Sequence, residues 1–148
     1  MVSVREIAEQ LGLEPLPEEG GLFRRTYADA RSSAIYYLLE DGDFSALHAL
    51  TAVETYHHYA GAPLLMLLLH PDGTVERPVL GTDLAAGQRP QLVVPAGVWQ
   101  GSRPAGEWAL VGTTMAPGFE WEMFTLGQRA NLQAQYPPAT ADIAALTR

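Results

Sequence analysis

Between positions 42 and 61 the chain reads GDFSALHALTAVETYHHYAG, placing three of its four histidines, His48, His57 and His58, around one glutamate, Glu54. An imidazole titrates near neutral pH, and a carboxylate beside it can orient it or stabilise its charge, so the pair suits proton transfer. Imidazole and carboxylate are also ligands for divalent cations, which keeps a metal site open at this stage. Residue types that are missing narrow the chemistry. There is no cysteine, which removes disulfides, thiolate metal sites and a cysteine nucleophile. There is no lysine, all nine basic residues being arginine, which removes Schiff-base catalysis and the lysine of a phosphate loop. No G-x-G-x-x-G, G-x-S-x-G or H-E-x-x-H occurs. Histidine, carboxylate, tyrosine and arginine chemistry is what remains.

Such side chains need a frame, and the frame reads as β. Successive residues of a strand face opposite ways, so His48 and Leu50 point together, as do Glu54, Tyr56 and His58, while His57 faces the other way. From Leu22 onward, segments such as SAIYYLL, VETYHHY, PLLMLLL, TVERPVL, QLVVP and EWALVGTTM are short and rich in branched and aromatic residues. Turn chemistry separates them: DGD, AGAP, HPDG, GTD, AAGQRP, PAG and RPAG. Many short strands at close spacing predict a β-sandwich or barrel. The ends differ. Ser3 and Glu6 form a capping box ahead of a helix over 4–11 that Gly12 ends. TLGQRANLQAQY (125–136) reads as helix, Pro137-Pro138 stops it, and Thr140 caps a last helix through Leu146.

With 148 residues and no linker, repeat or low-complexity segment, the chain reads as one domain, 1–148. Its 47% hydrophobic and 18% charged content is that of a soluble globular protein. A net charge of −8 without a basic cluster argues against nucleic acid as a partner. The longest apolar run, 62–69, is too short to span a bilayer, and MVSVREIAEQ has no signal-peptide core. No membrane partner and a cytoplasmic location are therefore expected.

The order Gly42, His48, Leu50, Glu54, Gly61 resembles the first cupin motif, a His-x-His pair and a glutamate between glycines, with Leu50 replacing the second histidine. Pro95-Ala96-Gly97-Val98-Trp99-Gln100 resembles the core of the second motif, with Gln100 at the histidine ligand's place. Arg89 stands where that motif expects a glycine. EGGLFRRTY (19–27), PAGVWQ (95–100), VGTTMAPGFE (111–120) and the terminal QYPP extend the likeness over nearly the whole chain, and it resembles the cupin_5 family (DUF985). That resemblance implies an all-β, single-domain jelly-roll barrel, similar to that of sugar-nucleotide epimerases, and a homodimer. It implies no established activity. It also implies the metal set that would apply if a metal were present: His48, Glu54 and Gln100. Two of the usual ligand places are altered, so no cofactor is expected, a divalent ion being the alternative.

The functional expectation is a small polar metabolite, such as a sugar or sugar-nucleotide, bound in the barrel. If the protein is an enzyme, metal-independent epimerisation or isomerisation is the expected class. The catalytic candidates are His48 as base, Glu54 orienting it, and Tyr36 or Tyr56 returning a proton from the opposite face. The substrate-binding candidates are Arg24, chosen over Arg25 because the family pattern has arginine there, with His58, Trp99 and Gln100. His57 reads as an outer-face or dimer-contact residue and His70 as a surface turn residue. Glu19-Gly20-Gly21 reads either as a simple turn or as an edge over the barrel mouth. Two alternatives stand beside this reading: a metal-dependent dioxygenase or metallo-isomerase, and a non-catalytic binding module. An isolated jelly roll leaves sheet edges open, and homo-oligomers mostly close with two-fold symmetry. Light scattering at micromolar concentration should therefore find a dimer of the 16.0 kDa chain, and a persistent monomer would refute it.

Overall fold

The computed structural model describes residues 2–148. Helix α1 (Val4–Leu11) opens with the capping box, the Ser3 hydroxyl accepting from the Glu6 amide and the Glu6 carboxylate reaching back. It ends at Gly12, whose φ of 67° is the left-handed conformation that glycine adopts without strain. Twelve strands follow among the described residues: β1 (Glu14–Pro15), β2 (Leu22–Ala28), β3 (Ser33–Glu40), β4 (Ser45–Leu50), β5 (Glu54–Gly61), β6 (Leu64–Leu69), β7 (Val75–Glu76), β8 (Val79–Leu80), β9 (Gln91–Val94), β10 (Trp99–Pro104), β11 (Trp108–Met115) and β12 (Phe124–Leu126). Helices α2 (Arg129–Gln135) and α3 (Thr140–Ala145) complete the chain. Among the described residues no helix is long and apolar enough to cross a membrane.

The strands form two antiparallel sheets, one ordered β1-β2-β3-β11-β5-β9 and the other β12-β4-β10-β6-β7, with β8 also paired to β6. This is the all-β jelly roll. Three sequence assignments change. Thr140 is the first residue of α3 and does not cap it, its hydroxyl donating to the Pro137 carbonyl at 2.8 Å. The segment 74–80 is two short strands, because Arg77-Pro78 interrupts it and proline cannot donate to a ladder. The helix read over 125–136 gives up its first residues to β12, which pairs with β4 from Phe124–Leu50 to Leu126–His48. Tertiary pairing overrides a weak helical start there.

Packing divides the barrel into a filled half and an open half. Tyr37, Leu39, Tyr56, Leu64, Met66, Leu68, Val94 and Val111 fill one end between the sheets. At the other end Leu50 and Met115 meet Phe119, Met123 and Phe124 around a cavity. The outer face of the second sheet is covered by α2 and α3, where Leu132, Ile143 and Leu146 pack on Leu47, Leu67 and Leu69. Gly101 permits this closeness, since a Cβ there would lie 3.0 Å from Leu47 and 3.2 Å from Leu146. Ile143 is fully buried in that layer. Ile143→Ala should cost about 2–5 kcal/mol, read from urea unfolding as a lower midpoint, because the lost methylenes leave a cavity.

Candidate functional site

His48 and Glu54 reach one cavity from opposite sheets. His48 lies on β4, paired with Gln100 of β10; Glu54 lies on β5, paired with Met115 and Val94. A β-bulge decides what accompanies His48. The register slips by one residue between the Gln100–His48 and Ser102–Ser45 pairs, so Ser45 and His48 both reach the same carboxylate although they are three positions apart. That carboxylate is Glu19. One of its oxygens accepts from the Ser45 hydroxyl at 2.7 Å, and the other stands 3.6 Å from His48 Nε2. His48 Nδ1 is 2.7 Å from the Ala46 carbonyl, which fixes the tautomer with the proton on Nδ1 and leaves Nε2 for Glu19 and the cavity. The ring stacks on Phe124 at 5.1 Å and is 1% exposed.

Glu54 is 7% exposed, and its Oε1 is buried without a hydrogen-bond partner. Burial pushes its carboxyl above the ordinary carboxylate range; the Glu19 charge adds to this, while His48, Thr113 and Gln100 oppose it. The cavity they line has about 580 Å³ of empty space, its open mouth included. Its wall continues through Phe23, Arg25, Ser33, Ile35, Leu50, Thr113, Met115, Phe119, Trp121 and Phe124.

Tyr56 and Gln100 come together behind Glu54 without lining the cavity. The Tyr56 hydroxyl donates to Gln100 Oε1 at 2.5 Å, and both side chains are almost completely buried. Burial, followed by the Glu54 charge, pushes the Tyr56 phenol well above its usual value. Engaged with each other and away from the cavity, the hydroxyl is not an acid that meets a ligand and the amide does not hold one, which corrects the first assignments of Tyr56 and Gln100.

Four further assignments are corrected. Tyr36 pairs with Gly112 and Arg24, and it packs edge-to-face on Tyr59 on the outer face; Ile35 and Tyr37 point inward instead. Arg24 also faces outward, where its guanidinium donates to the Leu11 carbonyl at 3.3 Å and packs by Gly12 at the end of α1. Arg25, opposite Ile35, is the arginine that lines the cavity. Trp99 packs under the C-terminal helices beside Tyr136 and Gly97, because parity on β10 turns it outward when Gln100 turns in. His58 stands four residues from Glu54, about 13 Å along a strand, and its Nε2 meets the Ala62 carbonyl at 2.9 Å. It is out of reach of the mouth. His57 lies on the outer face, with Nε2 3.1 Å from the Thr114 hydroxyl and its ring stacked on Tyr59. His70 pairs with Glu76 at the surface.

Sequence reasoning passed over Glu19 as a ligand-facing group, and also Arg25, Thr113 and the Phe119–Trp121–Phe124 wall. Glu19 had one signal, the glycine pair after it. Gly20 and Gly21 have φ of 94° and 79°, and a Cβ would fall 2.5 Å from Arg148 at the first and 2.7 Å from Tyr37 at the second. The loop is then fixed by Tyr37 donating to the Gly20 carbonyl, by Asp43 accepting from the Gly21 amide, and by Arg148 and the Ala46 amide donating to the Glu19 carbonyl.

The donor set does not fit a tightly held metal. Leu50 supplies no ligand atom, the Gln100 oxygen already accepts from Tyr56, and among the described residues no three His, Asp or Glu side chains are gathered as a metal site requires.

A family profile described as Cupin superfamily (DUF985) matches residues 5–127. A crystal structure of a protein from Shewanella oneidensis is 36% identical, with a TM-score of 0.94 and coverage of 100% of this chain and 99% of that one. A hypothetical protein from Leishmania major is 24% identical, with a TM-score of 0.90 and 99% of each chain covered. Bacillus subtilis oxalate decarboxylase shares the fold at 12% identity and a TM-score of 0.62, over 90% of this chain and 37% of that one. No curated protein sequence matches.

Glu54's raised carboxyl gives a pH signature. Between the unfolded and the folded titration points the native state holds more protons, so its stability falls as pH rises through that window. Glu54→Gln mimics the neutral carboxyl and should remove the loss. Thermal melts from about pH 4 to about pH 8 should diverge, the variant gaining on wild type as pH rises. Parallel curves would show that Glu54 ionises without hindrance.

Proposed function

This chain belongs to the DUF985 family of the cupin superfamily, and on that premise we propose that it binds a small polar metabolite in its barrel mouth and moves protons on it without a metal. The observation that carries this reading is the buried Glu54 oxygen without a protein partner, on the sheet facing His48. A buried polar atom left unsatisfied is costly, and a ligand donor would satisfy it. The mostly apolar wall with a few convergent polar groups is the usual composition of a small-ligand site.

The reaction class that suits the pair is epimerisation or isomerisation next to a carbonyl. His48 Nε2 takes a proton from the carbon beside the carbonyl, breaking the C–H bond and leaving an enolate. Glu19, 3.6 Å away, stabilises the imidazolium that results. Glu54, held toward its neutral form by burial and by Glu19, donates a proton from the opposite sheet. Delivered to carbon, that proton inverts the centre; delivered to oxygen, it gives an enediol. The enediol becomes the isomer when the His48 imidazolium returns its proton to the neighbouring carbon and the Glu54 carboxylate takes the proton of the second hydroxyl. After inversion, exchange with solvent resets both groups. Two titratable groups on facing sheets reach opposite faces of one ligand, and neither tyrosine is needed as the acid.

Proton NMR in deuterated buffer tests this without knowledge of the product. Keto sugars and α-hydroxy ketones are incubated with the protein and followed for loss of the C–H signal next to the carbonyl. His48→Ala should slow exchange by about 100-fold or more, and His70→Ala should leave it unchanged. Binding without exchange across the panel would leave a non-catalytic binding module.

A further inference from the structure

We propose that the occupant of this cavity is a cyclic polyol bearing one oxyanion, its hydroxyls against Glu54 and its anion held at the rim by Arg25. The inference rests on the cavity being a metabolite site, and it adds which chemistry that metabolite presents and in which orientation it lies.

Arg25 is the only arginine or lysine of the cavity wall, and it is exposed at the rim. None of the ion pairs among the described residues uses it. Its guanidinium lies 5.9 Å from the centre of the Phe119 ring, which supports it from below and leaves its donors for an incoming group. A guanidinium offers a planar fork that matches carboxylate and phosphate oxygens in pairs.

The deep end has the opposite character. Glu19 lies there beside Glu54, so the Glu19 charge repels an anion from the floor and turns it toward the rim. Glu54 Oε1 is an acceptor without a donor, which a ligand hydroxyl supplies. Between the two ends runs an aromatic wall. Phe119 meets Trp121 edge-to-face at 5.1 Å, Trp121 meets Phe124 at 5.2 Å, and Phe124 stacks on His48. The C–H face of a saturated ring packs on such a wall while its hydroxyl edge stays free for the carboxylates. A straight-chain anion would leave the wall unused, and a neutral sugar would leave Arg25 unpaired.

Four probes separate the parts by calorimetric titration. Myo-inositol 1-phosphate and quinate carry ring, hydroxyls and an oxyanion; myo-inositol lacks the anion, and cyclohexyl phosphate lacks the hydroxyls. Wild type should bind at least one of the first two about tenfold or more tighter than either of the others, as loss of a charge-assisted contact implies. The order of the first two tells which oxyanion Arg25 prefers. Arg25→Gln should erase the advantage over myo-inositol, with Arg25→Lys restoring part of it. Glu54→Leu should erase the advantage over cyclohexyl phosphate. Equal binding of charged and neutral rings, or an Arg25→Gln variant unchanged in that preference, overturns the inference. Failure of all four probes overturns it too, whereas His48-dependent exchange on other compounds would show that the proton-transfer reading survives alone.

Discussion

A carboxylate buried in an apolar barrel end is the constraint around which the rest of this molecule is arranged. Glu54 sits on the inner face of β5 with one oxygen unpartnered, and the medium around it is mostly hydrocarbon and aromatic carbon. An isolated charge in such surroundings is expensive, so the group shifts toward its neutral form and its neighbours divide into those that oppose and those that reinforce the shift. His48, Thr113 and Gln100 pull one way; Glu19 pushes the other. Behind it Tyr56 and Gln100 are buried and hydrogen-bonded to each other.

Glu19 reaches the barrel only because a loop is folded inward and fastened. The glycine pair lets the backbone lie where a Cβ would fall 2.7 Å from the Phe44 carbonyl at Gly20 and 2.7 Å from the Tyr37 hydroxyl at Gly21. Arg148 then ties the loop to Asp43 and the Phe44 carbonyl, and its guanidinium stacks on the Phe44 ring at 4.0 Å. Side chains from β3, from the β3–β4 turn and from the chain's last residue converge on one segment. The result is a second carboxylate in the cavity, 3.6 Å from the His48 imidazole.

The same barrel end explains why the motif positions for a metal can change without loss of the fold. Leu50 packs with Met115 and Phe124 as ordinary core, and Gln100 satisfies Tyr56. The scaffold of two sheets and a capping helical layer depends on Leu, Val and Tyr contacts elsewhere, so side chains at the mouth are free to vary in chemistry. Oxalate decarboxylase shares that scaffold and little sequence.

Local rules were enough for much of this protein. Alternating branched residues and turn dipeptides determined that it is a barrel of short strands, the capping box and Gly12 set the bounds of α1, and the resemblance to the cupin motif is what paired His48 with Glu54, which line one cavity. These signals lie within a few residues of each other, where backbone sterics and side-chain parity act. Arg25 against Arg24, Tyr37 against Tyr36 and Gln100 against Trp99 depend on which face of a strand meets the other sheet, and strand parity gives only relative facing within one strand. Two neighbouring side chains on a strand always point apart; the packing of the partner sheet decides which of them is inside. The bulge beside His48, the conversion of 124–126 to a strand, and the arrival of Glu19 from a loop tied down by Arg148 arise from contacts between distant segments. No window of sequence contains both members of those contacts, so only the closed barrel decided them.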